Sequence, residues 1–210
     1  MKTTTAVLTG TAATGGIVGG GFLANSLIYK SNTLEDHLKS KNLILISSLG
    51  SEKEGKQWSA EFELDQVEIK KYNDKIISGE KLKEWCQKNV KLELEKHEDL
   101  VPYLEKWCVL GTIESRISRS SGKELITEGD SRGWESVYNT NSAENLRTKI
   151  DLQGTKDQNS GKKDEDIKKI KAFCTANKGK TFKAEEKTSV YDVVVEWCTK
   201  TKSSSGVGGV

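Results

Sequence analysis

Every cysteine in this chain of 210 residues directly follows an aromatic residue. The dipeptide Trp-Cys occurs at Cys86, Cys108 and Cys198, and Phe-Cys occurs at Cys174. Because Trp and Cys are both rare here, a threefold recurrence of the dipeptide indicates a repeated unit rather than chance. This feature constrains the fold more than any other, because it predicts one construction made twice.

The sequences around the cysteines align in two halves. LKEWCQKN at residues 82–89 matches IKAFCTAN at residues 170–177, and LVPYLEKWC at residues 100–108 matches VYDVVVEWC at residues 190–198. We therefore predict two tandem units, residues 31–111 and 112–200, followed by a disordered tail at residues 201–210. Residues 153–166 are an insertion in the second unit, and their composition is typical of a mobile loop.

The spacing of apolar residues within each half is helical. Trp58 and Phe62 form an i, i+4 aromatic pair, and so do Trp134 and Tyr138. Residues 190–198 are β-branched enough for a strand, but their match to residues 100–108 favours a helix. We predict an all-α, mostly helical fold in which an N-terminal membrane or signal helix precedes two small duplicated units, with the aromatic residues in the core.

The cysteines fall as one pair in each half, Cys86 with Cys108 and Cys174 with Cys198. The similar spacing favours one structural disulfide per unit, and closing a loop of this length contributes about 3 kcal/mol. Four buried free thiols are a second interpretation. A zinc site with four thiolates is a third, although the C-x₂₋₄-C spacing of such sites is missing.

The first thirty residues form a separate segment, residues 1–30. TTTAVLTGTAATGGIVGGGFLANSLIY at residues 3–29 carries no charge, and Lys2 and Lys30 flank it. A helix of this length is about 40 Å long and exceeds the ~30 Å hydrocarbon core of a membrane. The segment predicts either a retained transmembrane anchor or a cleaved signal peptide, and thus contact with a membrane. A flexible N-terminal tail is the remaining alternative.

Composition argues against several functions. The chain has 33 Lys and Arg against 31 Asp and Glu, so the basic field expected of a nucleic-acid binder is missing. His37 and His97 lie in charged segments without an evident nucleophile. A hydrolase in which His97 activates Cys86 or Cys108 is the one enzymatic alternative. We predict no catalytic, cofactor-binding or metal-ligating residue, no cofactor, and no small-molecule substrate.

The Gly-, Thr- and Ala-rich N-terminal segment and the two units with LKEWC and VEWC motifs resemble a group of paralogous proteins from haemotropic mycoplasmas, wall-less bacteria that live on red blood cells. The likeness spans nearly the whole chain. It implies a non-enzymatic surface or secreted protein with a role in host interaction or antigenic variation, and a host or surface protein as its partner. We expect a single-pass membrane protein with an extracellular C-terminal region, or a secreted one. The alternative is a cytosol-facing, membrane-associated scaffold with reduced cysteines.

Overall fold

The computed structural model describes residues 33–120 and 122–202. The predicted membrane or signal segment, residues 1–30, lies outside the described residues, and so does the tail from residue 203 onward. The described chain is mostly helical, as predicted. Its α-helices are α1 Leu34–Ser40, α2 Ser51–Tyr72, α3 Gly79–Asn89, α4 Val101–Trp107, α5 Ile113–Arg119, α6 Ser131–Thr140, α7 Glu144–Arg147, α8 Lys163–Lys178 and α9 Asp192–Cys198.

Short 3₁₀ and π turns connect these helices. The 3₁₀ turns are Ile46–Ser48, Leu94–Lys96, Glu98–Leu100, Thr148–Ile150, Asp157–Lys162 and Ala184–Glu186, and a π turn spans Lys187–Tyr191. Two strands, β1 Lys123–Leu125 and β2 Thr199–Thr201, pair antiparallel with Leu125 opposite Thr199. Thr201 is therefore ordered, and the boundary predicted at residue 200 falls too early.

The predicted aromatic core is confirmed. One cluster of buried apolar residues surrounds Trp58 and Trp107 in the first half, and a second surrounds Trp134 and Trp197 in the second half. Residues 190–198 are helical rather than extended, which agrees with their match to residues 100–108. Helix α2 contributes residues to both clusters, since its Trp58 belongs to the first and its Ala60 belongs to the second.

The two halves contain several matching local arrangements. Thr33 caps α1 and Thr112 caps α5, each through a side-chain oxygen that accepts a backbone N–H at 3.1 Å. The Asn89 side chain donates to the carbonyl of Trp85 at 2.7 Å. The Asn177 side chain donates to the carbonyl of Phe173 at the same distance. Both asparagines thus hold the aromatic residue that precedes a cysteine.

The two halves also share a backbone hydrogen bond to the carbonyl of their second cysteine. The Ile46 N–H donates to the Cys108 carbonyl at 3.0 Å, and the Ile126 N–H donates to the Cys198 carbonyl at 2.9 Å. Ile46 lies before α2, which carries Trp58, and Ile126 lies before α6, which carries Trp134. In each half, the segment before this helix therefore pairs with the second cysteine of that half.

The prediction of a mobile loop at residues 153–166 is wrong for its second part. A 3₁₀ turn spans Asp157–Lys162, and α8 begins at Lys163. The physical reason is a buried arginine: the Nε of Arg147 donates to the Gly154 carbonyl at 2.9 Å, and its Nη2 donates to Asp166. The acidic first turn of α8 also suits the positive end of the helix dipole.

Candidate functional site

All four cysteines lie in disulfides, with the pairing that their spacing favoured. Cys86 bonds to Cys108, joining α3 to the end of α4, with 5.7 Å between the Cα atoms. Cys174 bonds to Cys198, joining α8 to α9, with 5.6 Å between the Cα atoms. Both spacings are ordinary for a disulfide. The free-thiol and zinc-thiolate interpretations are therefore wrong for this structure, because each sulfur is already bonded to another.

The first disulfide lies beside a cluster of four aromatic rings. Tyr72, Trp85 and Tyr103 are half-buried and surround the buried Trp107. The closest pair is Tyr72 and Tyr103, with 4.2 Å between ring centroids. Burial raises the pKa of Tyr72, and the neighbouring Tyr103 adds to that effect. The rings fill the space between helices, so the cluster stabilises the first half rather than forming an open cavity.

The second disulfide lies in a different setting, since both of its cysteines line an open cleft of about 400 Å³. One wall of the cleft is the face of α8 that carries Lys171, Cys174, Thr175 and Lys178. The other lining residues are Glu114, Leu125, Ile126, Thr127, Glu128, Trp134 and Cys198. We take this cleft as the candidate functional site, because it combines apolar floor with charged and hydroxyl groups.

The ammonium group of Lys171 is held in the cleft by two contacts. Its ammonium donates to the Glu128 carbonyl at 3.1 Å and lies 5.6 Å from the centroid of the Trp134 ring. The Trp134 indole N–H donates to the Thr127 carbonyl at 3.0 Å and so fixes the ring. Lys171 has no ion pair with a carboxylate within the described residues. Its positive charge is therefore held in place by neutral partners.

Lys178 lies one turn beyond Cys174 on the same face of α8. Its ammonium is 3.9 Å from the Glu114 carboxylate, at the outer limit of an ion pair. Two ammonium groups thus flank Cys174 along the helix, three residues before it and four residues after it. The carboxylates of Glu114 and Glu128 also line the cleft, so it fits a small, partly apolar ligand whose negative group lies toward the α8 wall.

The two histidines considered in the sequence analysis do not line this cleft. His37 belongs to α1, and His97 lies between two 3₁₀ turns. Cys86 and Cys108 are bonded to each other, so neither sulfur is a thiolate that His97 could activate. In the two described ranges, no cluster of three or more His, Cys, Asp or Glu residues is arranged to hold a metal ion.

A buried ionic cluster between the two halves escaped the sequence analysis. Arg116 and Arg119 of α5 donate to the Glu61 carboxylate of α2 at 2.7 and 3.0 Å. Arg119 also donates to Asp65 at 2.8 Å, and the Trp107 indole N–H donates to Asp65 at 3.1 Å. The sequence analysis singled out neither acid; the only local signal is that Glu61 and Asp65 lie four residues apart and so share one face of α2.

The guanidinium group of Arg116 also makes a cation–π contact with an aromatic ring. Its guanidinium carbon lies 3.9 Å from the centroid of Phe182 in the second half. Burial lowers the pKa of Arg116, although the Glu61 carboxylate opposes that effect. The cluster is therefore desolvated and fully paired, and it connects α2 to the second hydrophobic cluster.

Among residues 33–120 and 122–202, no helix has the length and apolar character needed to span a membrane. Comparison of the chain with protein-family models, with curated proteins and with solved structures finds no match.

Proposed function

We propose that the protein is a non-enzymatic surface protein, membrane-anchored or secreted, that acts by binding a host or surface protein partner. The pair of disulfides is the observation that carries the proposal. Stable disulfides form in oxidising surroundings and are rare in a reducing cytosol. An extracellular C-terminal region agrees with them, and the resemblance to surface-type proteins of haemotropic mycoplasmas supports a role in host interaction or antigenic variation.

Two finer features of the architecture belong to the same proposal. We infer that residues 31–111 and 112–200 arose by duplication, and the matching threonine caps, asparagine contacts and backbone hydrogen bonds support this. We also propose that residues 3–29 form a membrane or signal helix, supported by their uncharged composition.

The test is the location of the C-terminal region and the oxidation state of its cysteines in intact cells. Cells are treated with a membrane-impermeant alkylating reagent and with external protease, and then peptides are mapped by mass spectrometry without reduction. We expect both disulfides to be intact and the C-terminal region to be cleaved from outside.

A protected C-terminal region with four alkylatable thiols after lysis would contradict the proposal. That result would support the cytosol-facing scaffold with reduced cysteines. The control is an abundant cytosolic protein, which must stay uncleaved for the experiment to report on location.

A further inference from the structure

The two disulfides differ in what surrounds them. Each pair belongs to a buried cluster, and all four cysteines are buried. Cys174 and Cys198 in addition line the open cleft, and Cys174 keeps 5% of its surface exposed against 2% for Cys86. A small molecule in the cleft therefore lies beside the second disulfide in the folded protein.

The charges of the cleft select the kind of molecule that would enter. Lys171 and Lys178 lie on either side of Cys174 along α8, and Lys171 has only neutral partners within the described part of the chain. Ammonium groups beside a disulfide favour an anionic reagent and stabilise a thiolate that forms nearby. Glu114 and Glu128 also line the cleft, and the 3.9 Å approach of Glu114 offsets part of the charge of Lys178.

We infer that Cys174–Cys198 is a site of thiol–disulfide exchange with anionic low-molecular-weight thiols, while Cys86–Cys108 is closed to them. The thiolate of the reagent attacks the sulfur of Cys174, the bond to the sulfur of Cys198 breaks, and its electron pair leaves as the Cys198 thiolate. A second reagent thiolate then attacks the reagent sulfur of the mixed disulfide and releases the Cys174 thiolate. Two reagent thiols are oxidised to one disulfide, and the protein disulfide is reduced to two thiols.

The exchange site has a structural consequence. The Cys174–Cys198 bond joins α8 to α9, and the chain between them forms a β-bridge at Thr181, a 3₁₀ turn and a π turn. β2 follows Cys198 directly. Opening this bond thus removes the covalent link between α8 and α9 and leaves the connecting segment held by its noncovalent contacts, such as the Thr181 bridge to Thr112. This inference does not depend on the proposed surface role, since it concerns the purified, oxidised protein.

The test compares the two disulfides within one molecule. The purified oxidised full chain is incubated with reduced glutathione, an acidic thiol, without denaturant. Samples are quenched with N-ethylmaleimide over time, and peptide mapping quantifies each bond. We expect Cys174–Cys198 to open at least about tenfold faster than Cys86–Cys108. Equal rates, faster opening of Cys86–Cys108, or no opening of either bond would overturn the inference.

A second arm isolates the role of charge. The double variant Lys171→Gln with Lys178→Gln should slow the reaction with glutathione about three- to tenfold, but should not slow the reaction with cysteamine, a cationic thiol. Lys169→Gln is the matched control, since Lys169 is an exposed lysine on the opposite face of α8. Equal effects of the double variant on both thiols, or no effect on either, would show that the lysines do not select the reagent.

Discussion

At the scale of single residues, the buried pair of Arg147 and Asp166 decides the conformation of the insertion. Arg147 is 0% exposed, and Asp166 is buried with it. A buried charge is tolerated only when it is paired and hydrogen-bonded. Asp166 and the Gly154 carbonyl pair with Nη2 and Nε of Arg147, while its Nη1 has no hydrogen-bond partner among the described residues.

Asp166→Ala should therefore destabilise the protein by about 3–5 kcal/mol, because it leaves the Arg147 guanidinium buried without its counter-charge. Urea unfolding followed by circular dichroism measures this loss. The control is Asp164→Ala in the same first turn, since Asp164 is exposed and no ion pair of Asp164 occurs in the described structure. A loss as small in the Asp166 variant as in this control would contradict the role of the buried pair.

At the scale of elements, Gly79 sets the distance between α2 and α3. A Cβ atom on Gly79 would lie 2.6 Å from the Ser59 nitrogen and 2.7 Å from the Trp58 carbonyl carbon. These are backbone atoms of α2, so they cannot rotate away as a side chain would. The close approach of the two helices requires glycine at this position.

Gly79→Ala should destabilise the protein by about 1–3 kcal/mol, because α3 must move away from α2 to relieve the overlap. The matched control is Gly55→Ala in α2, where a Cβ atom meets nothing within 4 Å. That substitution should stabilise the protein by about 0.5–1 kcal/mol through helix propensity. Thermal unfolding of the two variants tests the contrast, and shifts of the same sign would contradict it.

Asp130 links α6 to β2 and makes their stability sensitive to acid. Its carboxylate accepts the Gly133 N–H at 2.9 Å as the cap of α6, and it pairs with Lys200 at 2.7 Å. The hydrogen bond from Lys200, with that from Gly133, lowers the pKa of Asp130 below its usual value of 3.8. The stabilisation is therefore present above that value and is lost as the pH falls through the lowered pKa of the folded state.

Asp130→Asn keeps an amide oxygen as a cap but removes the titrating charge. We expect the variant to be less stable than the wild type at about pH 6, with the difference shrinking at about pH 2.5, because below the ordinary carboxyl pKa the unfolded chain binds a proton that the folded carboxylate resists. Urea midpoints at the two pH values measure it. A difference that stays constant or grows on acidification would contradict the assignment.

At the scale of the whole molecule, the ionic cluster of Glu61, Asp65, Arg116 and Arg119 joins the two halves. Helix α2 carries the acids and α5 carries the bases. The Gln57 side-chain oxygen also accepts a hydrogen bond of 2.8 Å from the Ala184 N–H of the second half. Because these contacts are buried, separating the halves would expose paired charges and apolar surface at once.

We therefore expect residues 33–202 to unfold in one cooperative transition. Arg116→Met, which leaves Glu61 buried with one fewer partner, should lower the stability of both halves by the same amount, about 3 kcal/mol or more. Hydrogen exchange in moderate urea checks this, by comparing peptides from α3 and α4 with peptides from α8 and α9. A loss confined to the second half would show that the halves unfold independently.

Sequence spacing correctly predicted the helical class and the core position of four of the five tryptophans, and it favoured the observed cysteine pairing over free thiols or a zinc site. These properties depend on local spacing: an i, i+4 aromatic pair meets on a helix face wherever the helix lies, and two cysteine pairs of similar spacing within matching sequence segments favour one bond per pair. Even the β-branched segment around Val193 and Val194 followed the pattern of its counterpart rather than its own propensity, since tertiary burial outweighs a weak local preference.

Only the tertiary structure decided which charged residues are buried and which disulfide faces a cleft. Glu61, Arg116, Arg147 and Asp166 look in the sequence like the solvated charges around them, because the burial of a charge depends on a partner far along the chain. The open cleft beside Cys174 likewise arises where α5, α6 and α8 meet. Neither feature has a local signature, since both come from contacts between segments that sequence spacing does not relate.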